Sequence, residues 1–147
     1  MNIVKKAIKF ARNKHGDVKD DCGKNYFEAH VLPVYKILRV VAKDDKNLLC
    51  AAILHDTIED TNTGWCELST EFGDDVANLV FEVTHEGEKD TGYYFPRLQS
   101  RRAILLKFAD RLSNLSRMES WSTKRQEQYL RKSKFWKTTW RDVCGMK

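Results

Sequence analysis

A short segment in the first half of the chain, ILHDTIEDT (Ile53 to Thr61), concentrates side chains that can do chemistry. It places His55 beside Asp56, and it places Glu59 beside Asp60 at the end of an otherwise apolar run. Imidazole and carboxylate ligands together suit Mn, Fe or Zn rather than Ca. Carboxylates at the C-terminal end of a helix also oppose the helix macrodipole, so a plain helix terminus is a poor explanation. The segment therefore indicates a metal site with two further carboxylates beside it.

Two adjacent ligands do not make a metal site, so the remaining ligands must come from other helices. His30 lies at the start of the second predicted helix, and Asp110 lies in the mainly apolar segment LLKFADRLSNL. A carboxylate in apolar surroundings costs free energy unless it is paired or bound to a metal. Asn114 follows Asp110 by four residues and shares its helix face. His30 and Asp110 are therefore the candidates to join His55 and Asp56.

Each of these residues also has an ordinary structural role open to it. His30 could be a hydrogen-bonded or surface histidine. Asp110 could pair with Arg111 or with an arginine elsewhere, and Asp56 could pair with Lys46 or with an arginine of the first helix. These alternatives predict separate ion pairs or solvent exposure instead of a shared ligand cluster.

The elements that must position these side chains are predicted to be helices, because apolar residues recur with helical spacing and no strand alternation is found. The fold class is therefore all-α, a helical bundle with a metal site between helices. The first helix covers MNIVKKAIKFARNK, and the second covers AHVLPVYKILRVVAK with Pro33 in its first turn, where a missing N–H is tolerated. The third covers KNLLCAAILHDTIED and begins after Asp44 or Asp45 as its N-cap.

Further helices complete the predicted fold. A short helix ends at Phe72 and has Thr63 as a possible cap. The remaining helices cover GDDVANLVFEVT, RRAILLKFADRLSNLSRM and TKRQEQYLRKSKFWKTTW. His15 and His85 lie in polar loops between helices, where we expect both to be exposed to solvent.

Length and composition indicate a single globular domain, residues 1–147, with 41% hydrophobic and 32% charged residues. No window approaches the ~18 apolar residues of a membrane span, and the first helix lacks the apolar region of a signal peptide. The cysteines, Cys22, Cys50, Cys66 and Cys144, include no CxxC pair. This pattern argues against a disulfide framework and a cysteine-rich zinc site, so we expect a cytoplasmic protein.

The net charge of +5 is unevenly distributed along the chain. Residues 1–96 carry 12 Lys and Arg against 17 Asp and Glu, a net charge of −5, whereas residues 97–147 carry 14 against 4, a net charge of +10. A basic C-terminal third can attract a phosphorylated small molecule or nucleic acid. An amphipathic helix with solvated basic residues is the more common explanation of the tail KRQEQYLRKSKFWKTTWR. Nucleic acid is therefore a weaker expectation than an anionic nucleotide.

Taken in order, these residues resemble the HD-domain metal phosphohydrolases. ILHDTIEDT resembles the HDxxED signature of the RelA/SpoT-type (p)ppGpp hydrolases, which the small single-domain alarmone hydrolases share. YFEAHVLPV resembles that family's Tyr-x-x-His-Pro segment with one extra residue before His30, and FGDDVANLVFEVT resembles its Phe-Gly…Val…Val-Thr helix. LLKFADRLSNL resembles its Lys-Leu-Ala-Asp-Arg-Leu-x-Asn helix. The matches run in order from about residue 7 to about residue 130.

The resemblance implies an HD-type bundle that hydrolyses the 3′-pyrophosphate of ppGpp or pppGpp, giving GDP or GTP and pyrophosphate. It also implies one divalent ion, manganese by family precedent. The implied metal ligands are His30, His55, Asp56 and Asp110. The implied catalytic residues, which would handle the attacking water, are Glu59 and Asp60. The implied substrate-binding residues, which would line the nucleotide pocket, are Lys19, Thr84 and Asn114.

Two segments depart from the family pattern where the base is recognised. The loop after the first helix usually reads His-x-Gln-x-Arg-Lys, but HGDVKDD puts Asp17 at the Gln place and Lys19 at the Arg place. Lysine cannot stack as a guanidinium plane does. SNLSR (Ser113–Arg117) replaces the usual His-Asn-Met-Arg-Thr. The alternatives are an HD phosphohydrolase for another nucleotide and a noncatalytic module that binds nucleotide or nucleic acid. Such a module would have no need of both Glu59 and Asp60.

Overall fold

The part of the chain that the computed structural model describes, residues 2–84 and 98–133, is built mainly of α-helices. No strand occurs in these two ranges, although Lys19 and Asn25 form an isolated β-bridge. The predicted all-α class is therefore confirmed. The α-helices are α1 Ile3–His15, α2 Leu32–Val41, α3 Lys46–Leu54, α4 Thr57–Asp60, α5 Trp65–Phe72, α6 Asp74–Val83, α7 Arg101–Leu115 and α8 Thr123–Ser133.

Helix α3 forms the centre of the core. Residues 48–54 are all buried, with exposed fractions of 2% or less. A helix that is apolar on every side must be enclosed by other elements, and α3 packs against α1, α2, α6 and α7. The first helix contributes its predicted apolar face, with Val4, Ala7 and Ala11 buried. The polar residues that follow α3 in the chain therefore emerge at the end of a helix that is already enclosed by protein.

The third helix is shorter than the sequence predicts. The sequence predicts one helix through Asp60, but α3 ends at Leu54 and α4 begins at Thr57. The Nδ1 atom of His55 lies 2.6 Å from the Ala52 carbonyl oxygen, and the Thr57 hydroxyl donates to the Leu54 carbonyl at 2.7 Å. Side-chain donors of this kind compete with the backbone ladder and favour a helix end. The break lets His55 and its neighbour face one point although they are adjacent in sequence.

The two predicted N-caps have different outcomes. Asp45 caps α3 as predicted, since its carboxylate accepts from the Leu48 N–H at 3.1 Å. The prediction for Thr63 is wrong, because Gly64 occupies the N-cap position of α5 without a side-chain hydrogen bond. The Thr63 hydroxyl lies one residue too early for this role and bonds instead to the Thr61 hydroxyl at 2.6 Å.

A π-turn at Phe27–Val31 accommodates the extra residue before His30. The N–H of Leu32 donates to the carbonyl of Phe27, which is the i→i+5 pattern that adds one residue to a helical turn. The rings of Tyr26 and His30 lie 5.4 Å apart between centroids. The wider turn therefore keeps both rings on one side of the chain and leaves His30 buried.

The start of α7 is tied to two neighbouring helices. Glu82, near the end of α6, accepts from the N–H of Ser100, the N-cap residue of α7, at 2.8 Å. Arg102 donates to both Asp45 and Asp75, with all four donor–acceptor distances at 2.9 Å. Asp45 caps α3 and Asp75 lies in the first turn of α6. This network fixes where α7 lies against the central helix.

Some sequence predictions fall outside the described residues. They concern His85, Cys144 and the part of the last predicted helix beyond residue 133. That residues 1–147 form one domain stays a prediction. Cys22 and the other described cysteines are free thiols. Among the helices of the two described ranges, none is long and apolar enough to cross a membrane.

We predict that Arg102→Ala lowers the free energy of unfolding by about 1 kcal/mol at neutral pH, because solvent partly screens this half-exposed network. The Arg102 guanidinium lowers the pKa values of Asp45 and Asp75. The stabilisation is therefore complete above the ordinary carboxyl pKa and is lost as the pH falls through the depressed values. Urea unfolding at neutral pH and at about pH 2.5 measures both effects.

Arg102→Lys is the control for this prediction, since it keeps the charge but loses the planar fork. We expect it to retain part of the stabilisation. A loss in Arg102→Ala of the same size at both pH values would contradict the proposed ionic origin.

Candidate active site

Four side-chain donor atoms converge at the break after α3. They are Nε2 of His30, Nε2 of His55, Oδ2 of Asp56 and Oδ1 of Asp110, and all four residues are buried. His30 Nε2 lies 3.3 Å from His55 Nε2, 3.4 Å from Asp56 Oδ2 and 2.9 Å from Asp110 Oδ1. His55 Nε2 lies 3.1 Å from Asp56 Oδ2 and 3.4 Å from Asp110 Oδ1. The sequence-predicted ligand set thus comes together from the π-turn, the α3 break and α7.

The spacing of these atoms fits a shared divalent ion. Nitrogen and carboxylate ligands lie about 2.1 Å from such a metal, so two ligands are about 3.0 Å apart at a right angle and about 3.4 Å apart at a tetrahedral angle. The five distances that involve a histidine Nε2 run from 2.9 to 3.4 Å. His30, His55 and Asp56 by themselves form a group that could hold a metal ion. The mixed imidazole and carboxylate donors suit Mn, Fe or Zn.

The outer nitrogens of both histidines have partners that orient the rings. His55 Nδ1 lies 2.6 Å from the Ala52 carbonyl, which can only accept, so this nitrogen carries the proton. His30 Nδ1 lies 2.9 Å from the Ser113 hydroxyl, which in turn donates to the His30 carbonyl. The hydroxyl therefore accepts from Nδ1 of His30. In the neutral rings, both Nε2 lone pairs then face the donor cluster, as a metal requires.

The charges of the cluster depend on one another. Burial raises the pKa of Asp56, but His55 and His30 outweigh it and hold that pKa well below its ordinary range. Burial also raises the pKa of Asp110, but Lys107 and the histidines hold it well below that range. Burial lowers the pKa values of both histidines, and the two carboxylates outweigh it and raise them above the ordinary value. Because an imidazole binds a metal in its neutral form, a metal ion and protons compete for these two ring nitrogens.

Two further side chains hold the carboxylates in place. Lys107 Nζ lies 3.0 Å from Oδ2 of Asp110, the oxygen outside the donor cluster. The Tyr26 hydroxyl donates to Oδ2 of Asp56. Burial and the neighbouring carboxylates raise the pKa of Tyr26 above its usual range, so the hydroxyl keeps its proton and remains a donor. Both carboxylates are thus oriented by partners from outside the ligand set.

The alternative structural roles of these residues, a surface histidine and separate ion pairs, do not account for the observed geometry. His30 is 1% exposed and is therefore not a surface histidine. Arg12, the arginine of the first helix, pairs with Glu28 at 2.9 Å. Asp110 does form an ion pair with Lys107, but its other oxygen belongs to the donor cluster.

A cavity of about 450 Å³ opens beside the donor cluster. Small-molecule sites usually have volumes of about 300–1,000 Å³, so this cavity can take a nucleotide. Tyr26 connects the two, because it lines the cavity and donates to Asp56. The lining residues are His15, Val18, Lys19, Asp20, Asp21, Tyr26, Asp60, Asn114, Arg117, Trp121, Arg125 and Tyr129.

Ion pairs join the loop on one side of the cavity to the C-terminal segments on the other. Arg117 pairs with Asp20 at 3.0 Å, and Arg125 pairs with Asp21 at 2.7 Å. The Arg125 guanidinium also lies over the Trp121 ring, 3.8 Å from its centroid. The cavity therefore has cationic and aromatic groups in its wall, and part of its positive charge is neutralised within the protein.

The remaining predicted site residues lie at different distances from the cavity. Asp60 lines it, whereas Glu59 is exposed beside it on α4 and is not a lining residue. Lys19 and Asn114 line it, and Asn114 accepts from Arg117 at 2.9 Å and donates to Tyr129 at 3.1 Å. The predicted substrate contact at position 84 lies apart from the lining set. Its threonine hydroxyl donates to the backbone carbonyl of residue 80 at 2.8 Å.

The exposure expected for His15 is wrong. His15 is 3% exposed, lines the cavity and has its ring centroid 5.5 Å from that of Tyr26. Burial lowers the pKa of His15, and Nε2 has no hydrogen-bond partner in the described part of the chain. The polar residues around His15 suggested a surface loop. His15 is the first residue of the segment that resembles His-x-Gln-x-Arg-Lys, and this match was the signal that could have assigned His15 to the site.

Two other residues of the site were missed by reasoning from the sequence. Tyr26 could have been found, because it opens the segment that resembles Tyr-x-x-His-Pro. Ser113 gave no such signal, since it stands where that family usually has His. Its role with His30 is visible only when the π-turn and α7 are brought together.

Comparison with known proteins identifies residues 7–91 as an HD domain. The chain is 36% identical to the guanosine-3′,5′-bis(diphosphate) 3′-pyrophosphohydrolase MESH1 of Xenopus tropicalis, over 86% of this chain and 78% of that protein. It is 36% identical to the human protein of the same name, over 84% of this chain and 76% of that protein. A guanosine-3′,5′-bis(diphosphate) 3′-pyrophosphohydrolase of Aquifex aeolicus is also 36% identical, but the chain spans only 17% of its length.

A solved structure has the same fold. It comes from work titled "A metazoan ortholog of SpoT hydrolyzes ppGpp and plays a role in starvation responses", and it is 33% identical to this chain. It superposes with a TM-score of 0.81 over 97% of this chain and 88% of that one. The chain therefore belongs to the HD-domain family, in the group that includes MESH1.

Proposed function

We propose that this chain removes the 3′-pyrophosphate of ppGpp or pppGpp with the help of a divalent metal, giving GDP or GTP and pyrophosphate. The observation that carries the proposal is the convergence of four buried donor atoms, with each histidine Nε2 2.9 to 3.4 Å from the other three, beside a cavity large enough for a nucleotide. The relatives named guanosine-3′,5′-bis(diphosphate) 3′-pyrophosphohydrolase support it, since two of them align over at least 76% of their length.

The proposed ligands of the metal are His30, His55, Asp56 and Asp110. Manganese is the proposed ion, from the family resemblance and from the mixed nitrogen and oxygen donors. When bound, such an ion supplies a Lewis acid that stabilises charge on a phosphoryl oxygen and makes a water molecule acidic. The chain's contribution is to fix the donors, through Ser113 and Lys107 among others, before any substrate arrives.

Glu59 and Asp60 are the proposed catalytic residues. Both are exposed on α4, directly after the ligand pair, and Asp60 forms part of the cavity wall. The Asp60 N–H donates to the Asp56 carbonyl at 2.9 Å, which fixes this residue relative to the donor cluster. A carboxylate here can orient a water molecule and accept its proton. The water oxygen then bonds to phosphorus as the bond from phosphorus to the 3′ oxygen breaks, and that oxygen takes up a proton.

The cationic wall is the proposed site for the phosphates. Lys19 lines the cavity, while Arg117 and Arg125 are paired with Asp20 and Asp21. A substrate with several phosphates carries more negative charge than one carboxylate and can compete for these guanidinium groups. Asn114 in the wall is another proposed substrate contact, and so is Thr84, although Thr84 does not line the cavity.

A second candidate is an HD phosphohydrolase that acts on another nucleotide. The observation that favours it is the composition of the loop, where Lys19 lines the cavity at the position of the family's base-stacking arginine. The loop's two aspartates hold the arginines across the cavity. In this second candidate, the base would be recognised by side chains that differ from the family pattern.

A reducing, cytoplasmic location is proposed for this activity. Cys22, Cys50 and Cys66 are free thiols. Unpaired cysteines are typical of proteins that work in a reducing compartment.

We predict that the purified chain releases pyrophosphate from ppGpp when manganese is present and stops when EDTA removes the metal. Asp56→Ala should lose both manganese binding and turnover. Glu59→Gln and Asp60→Asn should still bind manganese but turn over about 10²- to 10⁴-fold more slowly, because they lack the general base. Calorimetry with manganese and a pyrophosphate-release assay measure the two effects separately.

Glu127→Gln is the matched control, because this exposed carboxylate on α8 does not line the cavity. It should leave turnover unchanged. Full activity in Asp56→Ala, or no manganese binding by the wild type, would contradict the proposed centre. Manganese binding without ppGpp hydrolysis would favour the second candidate.

We predict that Tyr26→Phe weakens manganese binding by about tenfold, since residues that orient a metal ligand typically contribute 10- to 100-fold. The lost hydroxyl removes the donor to Oδ2 of Asp56. Calorimetry measures the dissociation constant, and excess manganese should restore much of the turnover. Tyr35→Phe, at a half-buried tyrosine of α2 outside the site, is the control and should bind normally. Unchanged affinity in Tyr26→Phe would remove this positioning role.

We predict that Lys19→Arg increases the preference for ppGpp over its adenine counterpart by about two- to fivefold. A guanidinium plane can stack on the base, and such contacts contribute roughly 0.5–1 kcal/mol at exposed sites. The ratio of the two kcat/KM values measures the effect. Lys24→Arg, in the same loop but outside the cavity wall, should not change this ratio. An unchanged ratio in Lys19→Arg would show that the base is not bound against this residue.

A further inference from the structure

A second cavity, of about 630 Å³, lies at the other ends of α1 and α3. Lys5 in its wall precedes His15 by ten residues of α1, which is about 15 Å along a helix. Lys46 in its wall begins α3, whereas the donor cluster follows the end of that helix. The two cavities are therefore separate. The lining residues of the second are Asn2, Val4, Lys5, Ile8, Leu32, Tyr35, Lys36, Arg39, Lys43, Asp44, Lys46 and Leu49.

The wall of this cavity is strongly cationic. It contains five Lys and Arg residues but only one carboxylate, that of Asp44. Within residues 2–84 and 98–133, none of the five cations forms an ion pair. Asp45, the next carboxylate along the chain, is bound to Arg102. Like charges held around one cavity repel each other, and an anion bound between them relieves that repulsion.

The cavity also has an apolar and aromatic side. Val4, Ile8, Leu32 and Leu49 provide aliphatic surface. The Arg39 guanidinium lies over the ring of the half-buried residue 35, a tyrosine, at 5.4 Å from its centroid. A planar base can lie against such a pair, while phosphates reach the surrounding lysines. Inorganic phosphate would use the cations only and would leave this surface uncovered.

We propose that this cavity is an effector site for a nucleotide that carries two or more phosphates. The catalytic cavity has its guanidinium groups paired internally, whereas the cations here are available for a ligand. At the catalytic end, α1 ends at His15, His55 directly follows α3, and His30 lies in the π-turn continuous with α2. A ligand held between α1, α2 and α3 can therefore change the relative positions of the metal-binding residues.

The test is a titration of the full chain with GTP, without divalent metal, followed by amide shifts in two-dimensional NMR. We expect saturable shifts at residues 4–8 and 35–49, with binding that weakens as ionic strength rises. Lys36→Glu/Arg39→Glu should weaken this binding by about tenfold or more and leave ppGpp turnover in the absence of GTP unchanged. Inorganic tripolyphosphate should bind more weakly than GTP. Tripolyphosphate binding as tight as that of GTP would overturn the assignment to a nucleotide.

Lys124→Glu/Arg131→Glu is the control with the same charge change, on the exposed side of α8. It should bind GTP at residues 4–8 and 35–49 as the wild type does. Equal weakening by both double variants, or shifts confined to residues 15–26 and 114–129, would overturn the proposal. Because this measurement requires no turnover, failure of the effector site is distinguishable from failure of the proposed hydrolase activity.

Discussion

The structure depends on the burial of two carboxylates and two imidazoles at one point in an otherwise apolar core. Each of these groups alone would cost several kcal/mol of stability in such surroundings. Together they satisfy one another, and Lys107 and Ser113 of α7 complete the set together with Tyr26, which directly precedes the π-turn. The helices that carry these groups must therefore meet with their ends in fixed positions. The Arg102 network, which holds α7 against α3 and α6, serves the same requirement at the opposite end of the bundle.

Much of the fold could be predicted from the sequence, because the apolar residues of α1, α2 and α6 recur with helical spacing and the Asp45 cap has a local mechanism. The end of α3 could not be predicted from the sequence, because it depends on which backbone carbonyls the side chains of His55 and Thr57 reach. The burial of His15 could not be predicted either, because it depends on how the chain folds around it. Its flanking loop is polar, but that loop folds back on itself through the Lys19–Asn25 bridge and leaves the imidazole enclosed. Polar neighbours in the sequence therefore predict an exposed side chain only where the following loop does not fold back over it.

The candidate ligands could be named from the sequence through residue types and order, but their spacing posed a difficulty that only the backbone resolves. The segment before His30 has one residue more than the family pattern. In a regular α-helix an inserted residue rotates everything after it by about 100°. The π-turn Phe27–Val31 absorbs that residue in a single wider turn, so that Tyr26 and His30 both reach the donor cluster. Single π-turns of this kind occur often at functional sites. Here the turn allows a length change beside the site without loss of its geometry.

Charge along the sequence is a poor guide to charge in space for this protein. The net-acidic part, residues 1–96, lines the more cationic of the two cavities described, and Asp44 is the one carboxylate in that wall. The basic C-terminal part reaches the cavity beside the donor cluster with Arg117 and Arg125, which Asp20 and Asp21 neutralise. A polyanion that binds those two arginines must displace the aspartates, so binding in this cavity would include a competition that favours highly charged ligands. At the other end of α1 and α3 the five cations have no ion-pair partner within the described residues, so the proposed nucleotide would bind there without displacing a carboxylate.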